Sequence, residues 1–540
     1  AYTVVLKPRS SEDGVAAAAA VTQSNESTPL LLSALLREGR VAEARARSRI
    51  EVDGTFLGHS GFLAVNSTSG RVNQLFFWLQ PCTDGCDPST APFIQWFNGG
   101  PGSPDTIGAL NQIGTHYVDA AGAIAPRCFT WCRASTCLFV DSPVETGFSY
   151  QELLDSPVEY TATSREATEQ VLHLLLQIYQ IFPEYRSAPY YIHGLSYGGR
   201  YVPYMAKAVL SHNRDHPHEA VDLRGIAVGD PIIDNAAQNA KVAPALAAFG
   251  LLMEDEAAAV AAIMANATAL AAVSCEASFR EWNRVFNDDG GSSCAPFCDF
   301  LFAQFTGSTN TEHALLGAQP ASFGRFRPWL RDHASALHAA GSPAASGPNV
   351  SFSEGGEVYA AMVASGDFCA STARLYAELL LDSTPPIDVL VYSGNLDPLL
   401  GAPMTEAGVA AILDRANASL PGGGAAKRAF YSARKDVWRV AETDENPAGY
   451  ARCAEPRAGD GGGPRSRFCY IVVRNAGHEA VSYAPRAMYD LNERLIARLP
   501  FGRAEGNEAR NALDRRHTPT CAPCGGAPPL AGDALPECVH

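Results

Sequence analysis

Positive charge is in short supply: 41 Lys and Arg stand against 57 Asp and Glu, leaving a net charge of −16 over 540 residues. Such a surface repels phosphate, which argues against nucleic acid as a partner. Long apolar runs are missing as well. No stretch of about 20 strongly apolar residues occurs, so no membrane span is expected. The nearest approach, Ala257 to Val273, is Ala-rich and broken by Asn266 and Thr268, and it reads as a helix of a globular domain. The first residues lack a charged region followed by an apolar one, so any secretory leader is expected to have been removed already. Metal signatures are absent too. His212, His216 and His218 cluster in a polar stretch without Cys or Glu partners, and neither H-E-x-x-H nor a paired C-x-x-C array occurs. No metal or other cofactor is expected.

Cysteine, in contrast, is plentiful. Fourteen are present, several in close pairs: Cys82/Cys86, Cys128/Cys132/Cys137, Cys294/Cys298, Cys453/Cys469 and Cys521/Cys524. Without histidines at zinc spacing they read as disulfides formed in an oxidising compartment. Cys453 and Cys469 flank a Gly-rich loop at Gly459 to Pro464 and are the first candidates for a hairpin staple. Cys521-Ala-Pro-Cys524 lies in a Pro/Gly-rich terminus without a βαβ context, which favours a disulfide over a redox motif. Five N-x-S/T sequons, at Asn25, Asn66, Asn266, Asn349 and Asn417, agree with a secretory route.

Three distant segments carry chemistry. They are Gly-Leu-Ser-Tyr-Gly at 194–198, Ser-Gly-Asn-Leu-Asp ending at Asp397, and Asn-Ala-Gly-His ending at His478. Each follows a strand-like apolar run: Pro189 to Ile192, Val389 to Tyr392 and Phe468 to Val473. The order Ser, Asp, His at the ends of successive strands is that of an α/β-hydrolase triad. An open α/β sheet converges side chains at the C-terminal ends of its strands, which gives that order a structural meaning. A serine hydroxyl needs an adjacent base to become a nucleophile. In G-x-S-x-G the serine rides a sharp strand-to-helix turn, and Gly194 and Gly198 would leave room for it. The segment from Arg200 to Leu210 reads as the following helix. Taken alone, each part has a plain alternative: a surface turn for Ser196, a turn-forming Asp397, a core histidine for His478.

Further stretches make the chain resemble the serine carboxypeptidases, peptidase family S10, and within them the vitellogenic carboxypeptidase-like branch. They include Trp96-Phe-Asn-Gly-Gly-Pro-Gly102, Asp141-Ser-Pro-Val-Glu-Thr-Gly-Phe-Ser149, Ile181-Phe-Pro-Glu-Tyr185, Ser196-Tyr-Gly-Gly-Arg-Tyr-Val-Pro203, Phe249-Gly-Leu-Leu252, Val437-Trp438, Gly449-Tyr-Ala-Arg452 and Gly477-His-Glu479. The resemblance implies an α/β-hydrolase fold: a mixed, mostly parallel sheet flanked by helices, with a helical cap insertion. It implies Ser196 as nucleophile, His478 as general base and Asp397 as its orienter, with the N–H groups of Gly100 and Tyr197 as the oxyanion hole. Only glycine lets a backbone donor come so near an oxyanion, and Asn98-Gly99-Gly100 follows the strand-like Phe93 to Phe97.

The resemblance also exposes a departure. Family members bind the substrate's C-terminal carboxylate with a Trp, an Asn and two glutamates that share a proton. Trp96, Asn98 and Gly99 remain here, but Gln112 and Leu195 stand at the glutamate positions. Gln112 can donate an N–H at any pH, whereas Leu195 can donate nothing. Carboxylate binding should therefore weaken less with rising pH than in relatives that keep both glutamates. Ser103-Pro104-Asp105 replaces the customary Cys-Ser-Ser and is expected to bring a negative charge toward the incoming carboxylate. Glu145 replaces a glycine and is expected to reshape its turn.

The expected organisation is an N-terminal arm or pro-segment over 1–50, with a helix from Leu30 to Arg47. A hydrolase core spans 51–234 and 386–501. A helical cap over 235–385 includes Phe279 to Asn287, Ala314 to Leu316 and Val358 to Ala364, and a Cys/Pro/Gly-rich tail covers 502–540. Three functions are weighed in order. The first is a carboxypeptidase releasing C-terminal residues from peptides through an acyl-enzyme. The second is an esterase or acyltransferase on the same scaffold. The third is an inactive binding protein, disfavoured because it would have no chemical reason to keep the triad. The partner is a peptide or acyl substrate, a homodimer is left open beside a monomer, and the compartment is lysosomal, vacuolar or extracellular.

Overall fold

The computed structural model describes residues 28–152, 157–286, 312–316, 324–342, 356–455 and 466–502. Fourteen strands are present among them. β1 (Arg49–Val52), β2 (Thr55–Asn66), β3 (Val72–Gln80) and β4 (Phe93–Phe97) come first. β5 (His116–Val118) and β6 (Ile124–Pro126) form a separate two-stranded ribbon. β7 (Thr136–Val140), β8 (Tyr150–Gln151), β9 (Tyr190–Leu195) and β10 (Leu223–Gly229) follow, then β11 (Asp388–Gly394), β12 (Lys435–Trp438), β13 (Gly449–Ala454) and β14 (Phe468–Val473).

The large sheet runs β1-β2-β3-β7-β4-β9-β10-β11-β14-β13-β12, with β8 on β3. Its centre, β7-β4-β9-β10-β11-β14, is parallel throughout. Antiparallel strands close both flanks. The patterns of the strands explain this division. β4, β9 and β11 are buried at every residue, as strands covered on both faces must be. The outermost strand β1 alternates exposed and buried. The chain therefore has the α/β-hydrolase fold: a mixed, mostly parallel sheet flanked by helices.

Two apolar clusters pack the two faces. One joins the helices Ser164–Ile181, Gly198–Asp215, Ala373–Asp382 and Ala402–Ser419 to the sheet through residues such as Leu175, Val202, Leu380 and Ile412. The other holds Trp78, Trp96, Trp131 and the helix Pro485–Ile496. Thr163 caps the first of these helices by accepting the Glu166 N–H at 3.2 Å. Between β10 and β11 the described residues are mostly helical, with Asn235–Ala248, Glu254–Leu270 and Cys275–Phe286 forming a small core of their own around Leu246, Met264 and Phe286. That core meets the main body at Met404.

Several expectations need correction here. The single helix over Leu30 to Arg47 is two, Leu32–Arg37 and Val41–Arg47, broken at Gly39 where φ is +72°. The described part of the N-terminal segment is no surface arm either. Leu30, Leu32, Leu35 and Ala44 are buried in the main core, and Leu30 O accepts the Phe62 N–H at 2.9 Å. Ala314 to Leu316 is not helical but belongs to a turn.

Disulfides join Cys82–Cys86, Cys132–Cys137, Cys275–Cys369 and Cys453–Cys469, and Cys128 is also disulfide-bonded. The staple at Cys453–Cys469 is the one expected from the flanked loop. Cys275–Cys369, 94 residues apart in sequence, could not be read from spacing. Cys294, Cys298, Cys521, Cys524, the Gly459 to Pro464 loop, Asn25, Asn349, most of the tail and the first half of the N-terminal segment lie outside the described residues. Asn66, Asn266 and Asn417 are exposed. Among the described residues no helix is long and apolar enough to cross a membrane.

Candidate active site

The strand order brings the three sequence-predicted residues to one edge. β9, β10, β11 and β14 are neighbours, and Ser196, Asp397 and His478 lie just beyond β9, β11 and β14. Ser196 has φ +59°, the left-handed turn that throws a nucleophile off the end of its strand. Its N–H donates to Gly229 O at 2.9 Å, and its own carbonyl accepts the N–H groups of Gly199 and Ile232 at 2.9 and 3.0 Å. The elbow is thus clamped to the end of β10.

Asp397 is completely buried. Its Oδ1 accepts the Leu399 N–H at 2.7 Å and its Oδ2 lies 2.8 Å from His478 Nδ1. This fixes the imidazole with Nε2 as the free nitrogen. The His478 backbone is held by a residue the sequence did not single out: Glu312 O accepts its N–H at 2.7 Å. The turn at 312–316 is therefore seated on the loops that carry Asp397 and His478, with Ala314 N–H also donating to Leu396 O at 2.8 Å. Burial disfavours charge on His478, but Asp397, then Glu312 and Glu479, outweigh it and push the imidazole up to about 9.

On the other side of the elbow, β4 runs into Asn98-Gly99-Gly100. Gly100 has φ +100°. Neither the Gly100 nor the Tyr197 N–H is taken by another group among the described residues, which leaves both as donors beside Ser196. The Tyr197 hydroxyl donates to Asp367 Oδ2 at 2.6 Å. Ser164 Oγ (2.5 Å) and the fully buried Arg200 Nε (3.3 Å) share that oxygen. Asp367 comes from the insertion, two residues before the disulfide at Cys369. It too escaped the sequence reading, because nothing in Gly366-Asp367-Phe368 marks it locally.

The carboxylate-subsite candidates divide. Trp96 and Asn98 are buried, and Trp96 Nε1 donates to Asn98 Oδ1 at 3.2 Å. Asn98 Nδ2 donates to Pro104 O at 2.8 Å. Leu195 is buried in the apolar cluster with Trp96 and Trp131 and offers no polar contact. Gln112, also buried, directs its amide at the Glu479 carboxyl without closing a hydrogen bond of normal geometry. Glu479 accepts the Ser482 hydroxyl at 3.0 Å. Burial raises its affinity for a proton above the usual carboxylate range, although Ser482, Gln112 and His478 pull the other way. A carboxyl with raised proton affinity therefore stands beside Gln112, a group on which the expectation of weak pH dependence did not count.

One expectation fails on geometry. Asp105 does not face an incoming carboxylate. It turns inward, accepting the Asn98 N–H at 2.7 Å and the Val140 N–H at 3.4 Å. Burial, reinforced by nearby Asp141, drives it well above the usual range. Glu145 occupies its turn in the left-handed region. It keeps φ +66°, a conformation glycine adopts freely, and its Oε1 accepts the Gln151 N–H at 2.8 Å.

Asp105 and Asp141 carry a consequence for stability. Burial pushes Asp141 up to about 7, and its oxygens accept the Thr106 and Phe148 N–H groups, both at 3.0 Å. A carboxyl whose folded-state pKa is raised binds more protons folded than unfolded, so its contribution to stability declines as pH rises from about 4 through about 7. For Asp141 the full swing is on the order of 4 kcal/mol. His478, raised to about 9, subtracts further between its unfolded value and that pH. The melting temperature is expected to be higher near about pH 5 than near about pH 8. Calorimetry across that range checks this, and a rising melting temperature would contradict it.

The family model described as serine carboxypeptidase matches residues 51–498. The probable serine carboxypeptidase CPVL of Mus musculus is 27% identical over 486 residues, covering 87% of this chain and 89% of its own. The venom serine carboxypeptidase of Apis mellifera is 32% identical over 209 residues, 38% of this chain and 43% of its own. Among solved structures, a prohormone-processing carboxypeptidase from Saccharomyces cerevisiae superposes with a TM-score of 0.60 at 19% identity. That match covers 84% of this chain and 93% of the other, and it shows a shared fold.

Proposed function

Because the chain belongs to the serine carboxypeptidase family of hydrolases, we propose that it releases C-terminal residues from peptides through an acyl-enzyme on Ser196. His478 takes the Ser196 proton through Nε2 as the hydroxyl attacks the scissile carbonyl. Asp397 holds the imidazole in the required tautomer and stabilises the imidazolium that forms. The N–H groups of Gly100 and Tyr197 receive the oxyanion. His478 then returns the proton to the leaving amine, and water repeats the cycle on the ester. The observation that carries this reading is the 2.8 Å contact between His478 Nδ1 and the buried Asp397, at the same sheet edge as the left-handed Ser196.

The choice of a free C-terminus rests on Glu479 and Gln112. A carboxyl whose proton affinity burial raises can, in its protonated form, donate to the substrate's carboxylate, and Gln112 can add an N–H. This pair would replace the two family glutamates by another route. The insertion between β10 and β11 supplies Glu312, Asp367 and the acyl side of the pocket. The disulfides and exposed sequons support a secretory route.

The test compares one N-blocked dipeptide with a free C-terminus against its amide and ester, with Ser196→Ala as blank. Preference for the free acid is expected, with a KM that climbs as pH rises while kcat climbs toward about pH 9 as His478 loses its proton. Glu479→Gln should flatten the KM climb. Hydrolysis of the ester alone would instead favour an esterase or acyltransferase.

A further inference from the structure

One buried acid at this edge has no part in the steps above. Asp230 follows β10, is fully buried, and has φ +42°. It sits between the nucleophile and acid arms. The preceding Gly229 accepts the Ser196 N–H, and Asp230 N–H donates to Tyr392 O at 2.8 Å. Its Oδ1 accepts the Gly394 N–H at 2.8 Å. Its Oδ2 meets no N–H or O–H among the described residues, yet the carboxyl lies within hydrogen-bonding reach of the Asp397 carboxyl.

Two carboxyls in contact in a dry interior cannot both ionise, so a proton must lie between them. The surroundings decide which acid owns it. Asp397 has the Leu399 N–H and His478 to stabilise its charge. Among the described residues Asp230 has one backbone donor and no cation against it. The titratable groups near it are Tyr392 on β11 and Tyr470 on β14, both kept neutral chiefly by burial. Beyond Asp397 stand His478, His313, Glu312 and Glu479. Burial, before the Asp397 charge, favours the neutral form of Asp230.

We propose that Asp230 is a neutral carboxylic acid in the working enzyme and donates its O–H to the Asp397 carboxylate, as a positioning residue for the triad. The donated hydrogen bond fixes the Asp397 carboxyl plane against His478. It also takes up part of the Asp397 charge, which loosens that charge's grip on the imidazolium and lets His478 become a free base at lower pH. No bond is made or broken and the proton stays on Asp230.

The kinetic consequences rest on the hydrolase reading above, whereas the proton itself does not. The test uses the full chain in two measurements. Infrared difference spectra between wild type and Asp230→Asn should show the carbonyl stretch of one protonated carboxylic acid in the wild type only. With the blocked dipeptide, Asp230→Ala should lower plateau kcat by about ten- to a hundredfold and move the acid limb of kcat/KM upward by about one pH unit. Asp230→Asn, which keeps an N–H donor, should recover most of the rate and return the limb. Absence of the infrared band overturns the proposal whatever the kinetics. So does an Asp230→Asn enzyme as impaired as Asp230→Ala, or an acid limb that moves in neither. A wild type that shows the band but hydrolyses none of the substrates keeps the proton on Asp230 and overturns the functional reading instead. Should Asp230→Ala fail to fold, the band and the Asp230→Asn profile still decide.

Discussion

Replacing Gly99 by alanine is expected to cost at least about a hundredfold in kcat/KM while the protein still melts cooperatively. A Cβ built on Gly99 would stand 2.6 Å from Ser196 Cβ and 3.0 Å from both Ser196 Oγ and Leu195 O. Neither neighbour is the free end of a flexible side chain. Ser196 is pinned through its N–H and carbonyl to the end of β10, and Leu195 is the last residue of β9. The loop must therefore retreat from the elbow, and it carries Gly100, whose N–H is the proposed oxyanion donor. A displacement of about 1 Å in a reacting constellation can cost a hundredfold, and losing an oxyanion donor costs a hundred- to a thousandfold by itself. The stability penalty should be the ordinary one for overpacking, about 1–3 kcal/mol. Kinetics and thermal melting on the same sample separate the two effects. A variant within about threefold of wild type would show that the loop yields without moving its donors.

Asp367→Ala is expected to destabilise the protein by about 3–5 kcal/mol, the usual result of leaving a buried charge without its partner. Arg200 is completely buried and has two anchors, the Asp367 carboxylate and the carbonyl of Ala370. Removing the carboxylate also strips the Tyr197 and Ser164 hydroxyls of their acceptor. Because Tyr197 directly follows Ser196, the proposed nucleophile, a second effect on turnover is expected even where the variant stays folded. About a tenfold fall in kcat with little change in KM would mark a group that positions rather than binds. Tyr197→Phe removes only one of the three contacts and should cost about 1 kcal/mol. Urea denaturation compares the two. A loss below about 1 kcal/mol for Asp367→Ala would mean that Arg200 finds water or another acceptor.

Both predictions turn on contacts between segments far apart in sequence, and this is where the sequence was hardest to read. The strands were legible because burial on both faces leaves little freedom in composition. Phe93 to Phe97 and Phe468 to Val473 coincide with β4 and β14. The helix after Ser196 was legible for the same kind of reason, though it starts at Gly198 and continues to Asp215. The break at Gly39 was not legible because one glycine within a helical stretch does not by itself end a helix. Asp105 was misread because a local motif gives the position of a side chain in the chain but not the direction in which it points. Asp367 had no local signature, and the stretches holding Asp230 and Glu479 gave no sign of what those acids would face. Each acquires its role from a neighbour more than 100 residues away, across strands or from the insertion.

The sequence by itself determined the fold, the family and the three residues at the strand ends. Those depend on periodic burial and on short turns whose backbone geometry demands particular residue types. Only the tertiary structure decided which carboxyls are desolvated, which groups stand around Asp397 and His478, and which carboxyl lies beside Gln112. Proton affinity depends on desolvation and on charges within a few ångströms, and neither quantity exists until the strands are laid side by side.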